Sequence, residues 1–364
     1  MKVKEIINAL EEFAPLANAE DFDNVGLLVG DINTEVTGIL VTLDTLEKTI
    51  DNAIAQHCNL VVSFHPILFS GLKKITGKNY VERVVLKAIK NDIAIYAIHT
   101  ALDNVPHGVS KGMCDALGLT NRKVLIPKKR KIKKLTTYVP EDIYENVRTA
   151  LFKAGAGSIG NYESCSFSTY GEGTFLGKPE SNPTKGERGK LQVEKELQLN
   201  VTFEAHLEKA ILNTLFKSHS YEEVAYEVTT LDNSNQNIGM GMLGELPEAL
   251  DTPSFLKFVA HSFQAKGIRH SVELEKPIKK VAVLGGSGSF AIEAAIHSGA
   301  DAFITADLKY HQFYQAENKL ILVDIGHYES EQFTKNILTD FLTKKFTNFA
   351  VVLEDENTNP IKYL

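Results

Sequence analysis

Tryptophan is absent from this chain and cysteine is scarce, with Cys58, Cys114 and Cys165 the only three in 364 residues. They stand far apart and form no Cys-x-x-Cys pair, which excludes a disulfide framework and a structural zinc knuckle and fits a reducing compartment. Long apolar runs are missing as well, so nothing approaches the length needed to cross a bilayer. From Met1 to Phe13 charged and apolar residues alternate at helical spacing, unlike the unbroken apolar core of a signal peptide. These absences predict a soluble, cytoplasmic protein. A basic excess is lacking too: the formal net charge is −7, so no nucleic-acid footprint is visible. The one basic run, Lys128 to Lys134, reads as a solvated linker face and marks a domain boundary.

What is present is globular in character. Hydrophobic residues make up 43% of the chain and charged residues 23%, enough material for two or three domains with real cores. The organising stretch is Leu60 to Leu68, where an apolar run ends on His65 followed by Pro66. Proline cannot donate to a continuing ladder, so the strand stops where the histidine sits. The event recurs: Ile93 to Ile98 runs into His99, and Leu320 to Ile325 runs through Gly326 into His327. Three histidines at three strand ends suggest one site.

In order, the head predicts a helix over 3–13, a strand after the turn residues Asp21 to Asn24, a strand over 38–43 ending on Asp44, and a helix over 46–56. The histidine strand, a helix over 80–90 and the Ile93 strand follow. Alternating strand and helix is the signature of a mostly parallel sheet whose ligands gather at the carboxyl ends of its strands. After the basic run the order becomes strand, helix, strand, strand, helix, strand, with a turn-rich stretch over 171–189. That is the ferredoxin-like plan, and it places an inserted domain at 130–236 between 1–129 and 237–364. The tail resumes strand and helix, so both chain ends are expected to build one α/β core that brings His327 to His65 and His99.

Two of the histidines have a carboxylate four residues on, His99 with Asp103 and His327 with Glu331. On a helical turn that spacing puts both side chains on one face. Imidazole and carboxylate are what zinc, iron or manganese takes as ligands, and a carboxylate can bridge two ions. A competing motif, Gly285-Gly286-Ser287-Gly288-Ser289-Phe290-Ala291, follows a strand, opens a helix and has Asp307 about twenty residues on, as a dinucleotide fold would. Its plainer reading is a tight strand-to-helix turn whose exposed N–H groups could receive a phosphate.

His65-Pro66-Ile67-Leu68-Phe69, His99 with Asp103 and His327 with Glu331 resemble the dinuclear metal-centre proteins named for NGG-one interacting factor three, catalogued as GTP cyclohydrolase 1 type 2 homologues. Asp23-Asn24-Val25-Gly26-Leu27 and Thr305-Ala306-Asp307-Leu308-Lys309 match as well. The resemblance spans nearly the whole chain. It implies a site for up to two divalent ions held by His65, Asp103, His327 and Glu331, with His99 beside them as a further ligand or proton carrier. It also implies a PII-like or CutA-like insert, a homohexamer, and metal-assisted hydrolysis of a nucleotide or phosphorylated small molecule, or else metal handling without turnover. One position departs: the family usually has two adjacent histidines before the proline, and here Phe64 stands where the first belongs.

Overall fold

The computed structural model describes residues 1–364, and no helix in it is long and apolar enough to cross a membrane. It divides into two compact units, Met1–Ile126 with Asn237–Leu364, and Pro127–Gln236. The first unit opens with α1 (Val3–Phe13), whose Val3, Ile6, Ile7 and Leu10 are buried along one stripe. Next come β1 (Gly26–Val29), β2 (Ile39–Thr42), α2 (Glu47–Ala55), β3 (Leu60–Ser63), α3 (Tyr80–Lys90) and β4 (Ala94–Ala97). Two short helices, α4 (His99–Asp103) and α5 (Val109–Ala116), lead to β5 (Thr120–Lys129).

The second unit contains β6 (Ile132–Pro140), α6 (Tyr144–Lys153), β7 (Phe167–Leu176), β8 (Leu191–Glu204), α7 (Glu208–Ser218) and β9 (Tyr226–Leu231). Its sheet order is β7-β8-β6-β9 with every neighbour antiparallel. This is a doubled split-βαβ arrangement. The stretch over 171–189, expected as turn throughout, begins as strand: Gly171 to Leu176 pair with Leu191 to Glu196, and that pairing overrides the weak strand preference of the glycines.

The chain then re-enters the first unit through β10 (Ser234–Leu250), α8 (Thr252–Phe263), β11 (Arg269–His270), β12 (Ile278–Ser287), α9 (Ile292–His297) and β13 (Ala302–Ala306). A 3-10 segment, Tyr310–Ala316, stands where the resumed alternation of strand and helix called for an α-helix. Then follow β14 (Ile321–Asp324), α10 (His327–Glu331), α11 (Thr334–Lys345) and β15 (Val351–Leu353).

The expectation of one shared sheet needs correcting, because the two chain ends build two. One has the order β1-β4-β3-β2-β15, the other β11-β14-β13-β12-β10-β5. In each the central strands are parallel and the outer pairings β1 with β4, β10 with β12 and β11 with β14 are antiparallel. Residues of β2, β3, β4, β13 and β14 are buried throughout, so each sheet has its own apolar layers on both faces. Helix α5 joins the layers: its Val109 belongs to the core under β3 and β4, while Met113 and Cys114 pack with Val281 and Val283 of β12. The histidines of both sheets meet beside it.

Candidate metal centre

The site starts from strand ends. His65 follows β3 after Phe64, and its ring is aimed by Asp44, which stands just beyond the adjacent parallel strand β2: His65 Nδ1 donates to Asp44 Oδ1 at 2.7 Å. His327 opens α10 after Gly326, whose φ of +95° is favourable only for glycine. His327 Nδ1 donates to Asp307 Oδ2 at 2.7 Å. The Nε2 atoms of both histidines then lie 3.0 Å from one atom, Oε2 of Glu331. Glu331 sits four residues after His327 and its side chain is 3% exposed.

Three residues, His65, His327 and Glu331, therefore present ligand atoms within 4.8 Å of one another. His65 Nε2 and Glu331 Oε2 are buried and have no hydrogen-bond partner outside this three-residue group. Burial would favour neutral imidazole, yet Asp44 and Glu331 hold the His65 proton and raise its pKa to about 9. Asp307 and Glu331 do the same to His327, raising it to about 11 against the effect of burial. Glu331, which burial alone would push up, is held down to about 2 by its contacts with His327 and His65. Asp103, at the end of α4, behaves oppositely: burial and the Glu331 charge drive its carboxyl well above the ordinary range. Two acids forced together and two imidazoles whose Nε2 atoms converge on one buried carboxylate oxygen are what a cation resolves, so these residues fit a divalent ion.

Asp103 lies close enough to feel Glu331, His65 and His327 but stands outside the three-residue group. His99 also stands outside it, its ring edge-on to His65 with centroids 5.3 Å apart. Its Nδ1 donates to Asp23 Oδ1 at 2.8 Å, and Asp23 also accepts the Thr100 N–H at 3.0 Å. Burial opposes ionisation of Asp23, but the His99 and Thr100 hydrogen bonds bring it down to about 2. Both His99 and Asp307 adopt positive φ, +25° and +57°, which non-glycine residues rarely take and which clusters at functional sites.

The glycine motif serves Glu331. Gly286 has φ +65°, and a side chain there would run into Glu331 Oε1; one at Gly285 would meet Val109 at 2.7 Å and Glu331 at 3.2 Å. The Gly286 N–H, which a phosphate would need, donates instead to Ser330 Oγ at 2.9 Å. Phe64 is fully buried in the core and packs its ring 5.0 Å from His65 and 5.4 Å from His99. The sequence shows Asp44 at a strand end and Asp23 and Asp307 in stretches that match the family, but not that each of the three aims an imidazole. Their partners lie 21, 76 and 20 residues away.

Two mostly parallel sheets meeting at a group of histidines and carboxylates define an α/β protein with a possible metal-binding centre. A family profile, Duf34/NIF3 (NGG1p interacting factor 3), matches residues 1–360, and the chain belongs to that family. It is 38% identical to a protein of Bacillus subtilis named GTP cyclohydrolase 1 type 2 homolog, covering 99% of this chain and 98% of that one. A protein of the same name from Staphylococcus epidermidis is 30% identical with full coverage of both chains. Among solved structures, a Bacillus cereus protein related to NIF3 superposes with a TM-score of 0.89 at 36% identity, covering 100% of this chain and 99% of that one.

Proposed function

We propose that this protein is a metal-dependent hydrolase acting on a nucleotide or a phosphorylated small molecule. In this reading His65, His327, Glu331 and Asp103 hold one or two ions of zinc, iron or manganese. The observation that carries it is the convergence of His65 Nε2 and His327 Nε2 on the buried Glu331 Oε2, with no partner outside this group for His65 Nε2 or Glu331 Oε2 and both outer imidazole nitrogens occupied by aspartates. A divalent ion bound there supplies Lewis acidity toward water and toward a carbonyl or phosphoryl oxygen. Asp44 and Asp307 fix the tautomers that leave Nε2 free for the ion. His99, oriented by Asp23, carries protons at the edge of the site.

Support for a planar base in the substrate comes from Phe22 and Phe69, 67% and 52% exposed, with ring centroids 6.4 Å apart. Phe69 is in turn 6.5 Å from His99. Turnover of a panel of nucleotides and phosphomonoesters by protein loaded with zinc, manganese or iron tests the reading. Activity with at least one metal, abolished in Glu331→Gln, is expected; a metal-loaded protein inert toward the whole panel would sink it.

A second reading has one observation in its favour: the inserted unit has a cavity of its own, of about 600 Å³, lined wholly by insert residues. In that reading the insert is a PII-like or CutA-like sensor, and the protein handles or reports metal without turnover. The same panel separates the two. We further propose a cytoplasmic homohexamer, as the resemblance in the sequence implies; light scattering across a wide concentration range checks the assembly.

A further inference from the structure

The cavity in the inserted unit has a chemistry different from that of the metal centre. Along β8, Leu197, Leu199, Val201 and Phe203 face the helices and form the core. Alternation turns Glu196 and Gln198 to the opposite face of the sheet. There Glu196 pairs across to Gly171 on one side and Pro140 on the other, so neither neighbouring strand offers it a cation. Gly171 and Gly173 leave the floor of the hollow bare, and a side chain at Gly173 would collide with Glu196 Oε2.

Glu196 is 8% exposed. Its Oε1 accepts the Tyr221 hydroxyl at 2.7 Å, while Oε2 faces the space above Gly173. No lysine, arginine or histidine lies within ion-pair distance of this carboxylate. The one cation lining the hollow, Lys185, is already committed to Asp142 at 3.2 Å and Glu194 at 3.9 Å. Against it stand Glu172, Glu196, Glu222 and Glu223, so the hollow repels phosphates and carboxylates. Its walls include the rings of Tyr138, Phe175 and Tyr221, the last two 6.3 Å apart. A buried carboxylate without a cation is costly, and aromatic walls attract positive charge. The volume, about 600 Å³, is that of a small-molecule site.

We propose that this hollow binds a small organic cation, a protonated amine or guanidinium on an apolar or planar body, whose charged head pairs with Glu196 Oε2. The ligand is held by one charge-assisted contact and by the tyrosine and phenylalanine rings, and it does not share the anionic chemistry proposed for the metal-site substrate.

Titration calorimetry of the full chain with tyramine and agmatine tests this, with 4-hydroxyphenylacetate as the anionic counterpart of tyramine. Submillimolar binding of at least one cation is expected, with no binding of the anion. Glu196→Gln keeps the side-chain volume and the Tyr221 hydrogen bond, and it should weaken the cation about tenfold or more. Tyr221→Phe should retain it, and unliganded melting curves check that both variants fold. Gly173→Ala, which sets a methyl group against Oε2, gives the same test should Glu196→Gln prove unstable. Equal binding by wild type and Glu196→Gln, or no heat from either cation at millimolar concentration, overturns the assignment. So does sedimentation showing that a second copy of the chain fills the hollow and excludes the probes.

Discussion

Asp44 and His65, 21 residues apart in sequence, meet at 2.7 Å because β2 and β3 are adjacent and parallel and both residues lie just past their strand ends. The same carboxylate accepts the Thr358 hydroxyl at 2.6 Å, so the chain beyond β15 also helps to hold the imidazole. A histidine held on one nitrogen offers the other in a fixed direction, and affinity for an ion depends on that direction.

Replacing either anchoring aspartate should therefore weaken metal binding while leaving the ligands in place. Asp44→Asn and Asp307→Asn are each expected to lower affinity about 10- to 100-fold. Competition against a chelator of known affinity measures the loss, and unchanged affinity in both variants would show that the ring directions are set by packing alone.

Phe64 makes the second prediction. It is fully buried beside His65 and contributes no lone pair, so a second ion would have one protein ligand fewer than a pair of adjacent histidines would give it. We expect one tight ion and one weak ion per chain, and Phe64→His should strengthen the weak one by at least about tenfold. Elemental analysis of protein dialysed against graded chelator reads both occupancies. Two ions retained equally in the wild-type protein would refute the asymmetry.

Gly286→Ala tests the role assigned to the glycine motif. The new methyl group must displace Glu331, and φ +65° is itself unfavourable for alanine. A stability loss above about 1 kcal/mol is expected, together with loss of metal affinity. NAD or NADP binding at micromolar concentration by the wild-type protein, abolished by the substitution, would instead restore the dinucleotide reading of the motif.

Acid should weaken the second sheet through Asp301. Burial alone would raise this carboxyl, but the Lys276 ammonium at 2.6 Å and the N–H groups of Lys280 and Lys279 hold it below 3.8. A lowered folded pKa contributes stability above the unfolded value, and that stability is lost as pH falls through the lower folded value. Asp301→Asn should cost about 1–3 kcal/mol at pH 7 by urea unfolding. The gap to wild type should narrow as the pH is lowered below 3.8. A gap that stays constant with pH would assign the effect to packing.

The strand ends were legible in the sequence because Pro66 and Gly326 punctuate apolar runs, and α3 was legible because Val84, Val85 and Ala88 repeat at helical spacing. The partition into two sheets was not, since periodicity states which residues are buried and not which strand lies alongside. The long strand β10 went unassigned, since Gly239 and Gly241 give it little strand preference of its own. In the fold Gly239 is needed because a side chain there would strike the Ile126 carbonyl of β5. The histidines and their i+4 carboxylates could be named from local spacing. The aspartates that aim them could be seen only once strands distant in sequence were set side by side.

The pairing of β15 with β2 has a consequence for synthesis. Val351 lies beside Ile39, so roughly three hundred residues are translated between the two partners. Until β15 arrives, β2 presents an open row of backbone donors and acceptors in an apolar strand, the kind of edge that recruits other chains. Nascent or prematurely terminated copies should be the aggregation-prone species, and a chaperone that shields this edge would act in the interval before His65, His327 and Glu331 can come together.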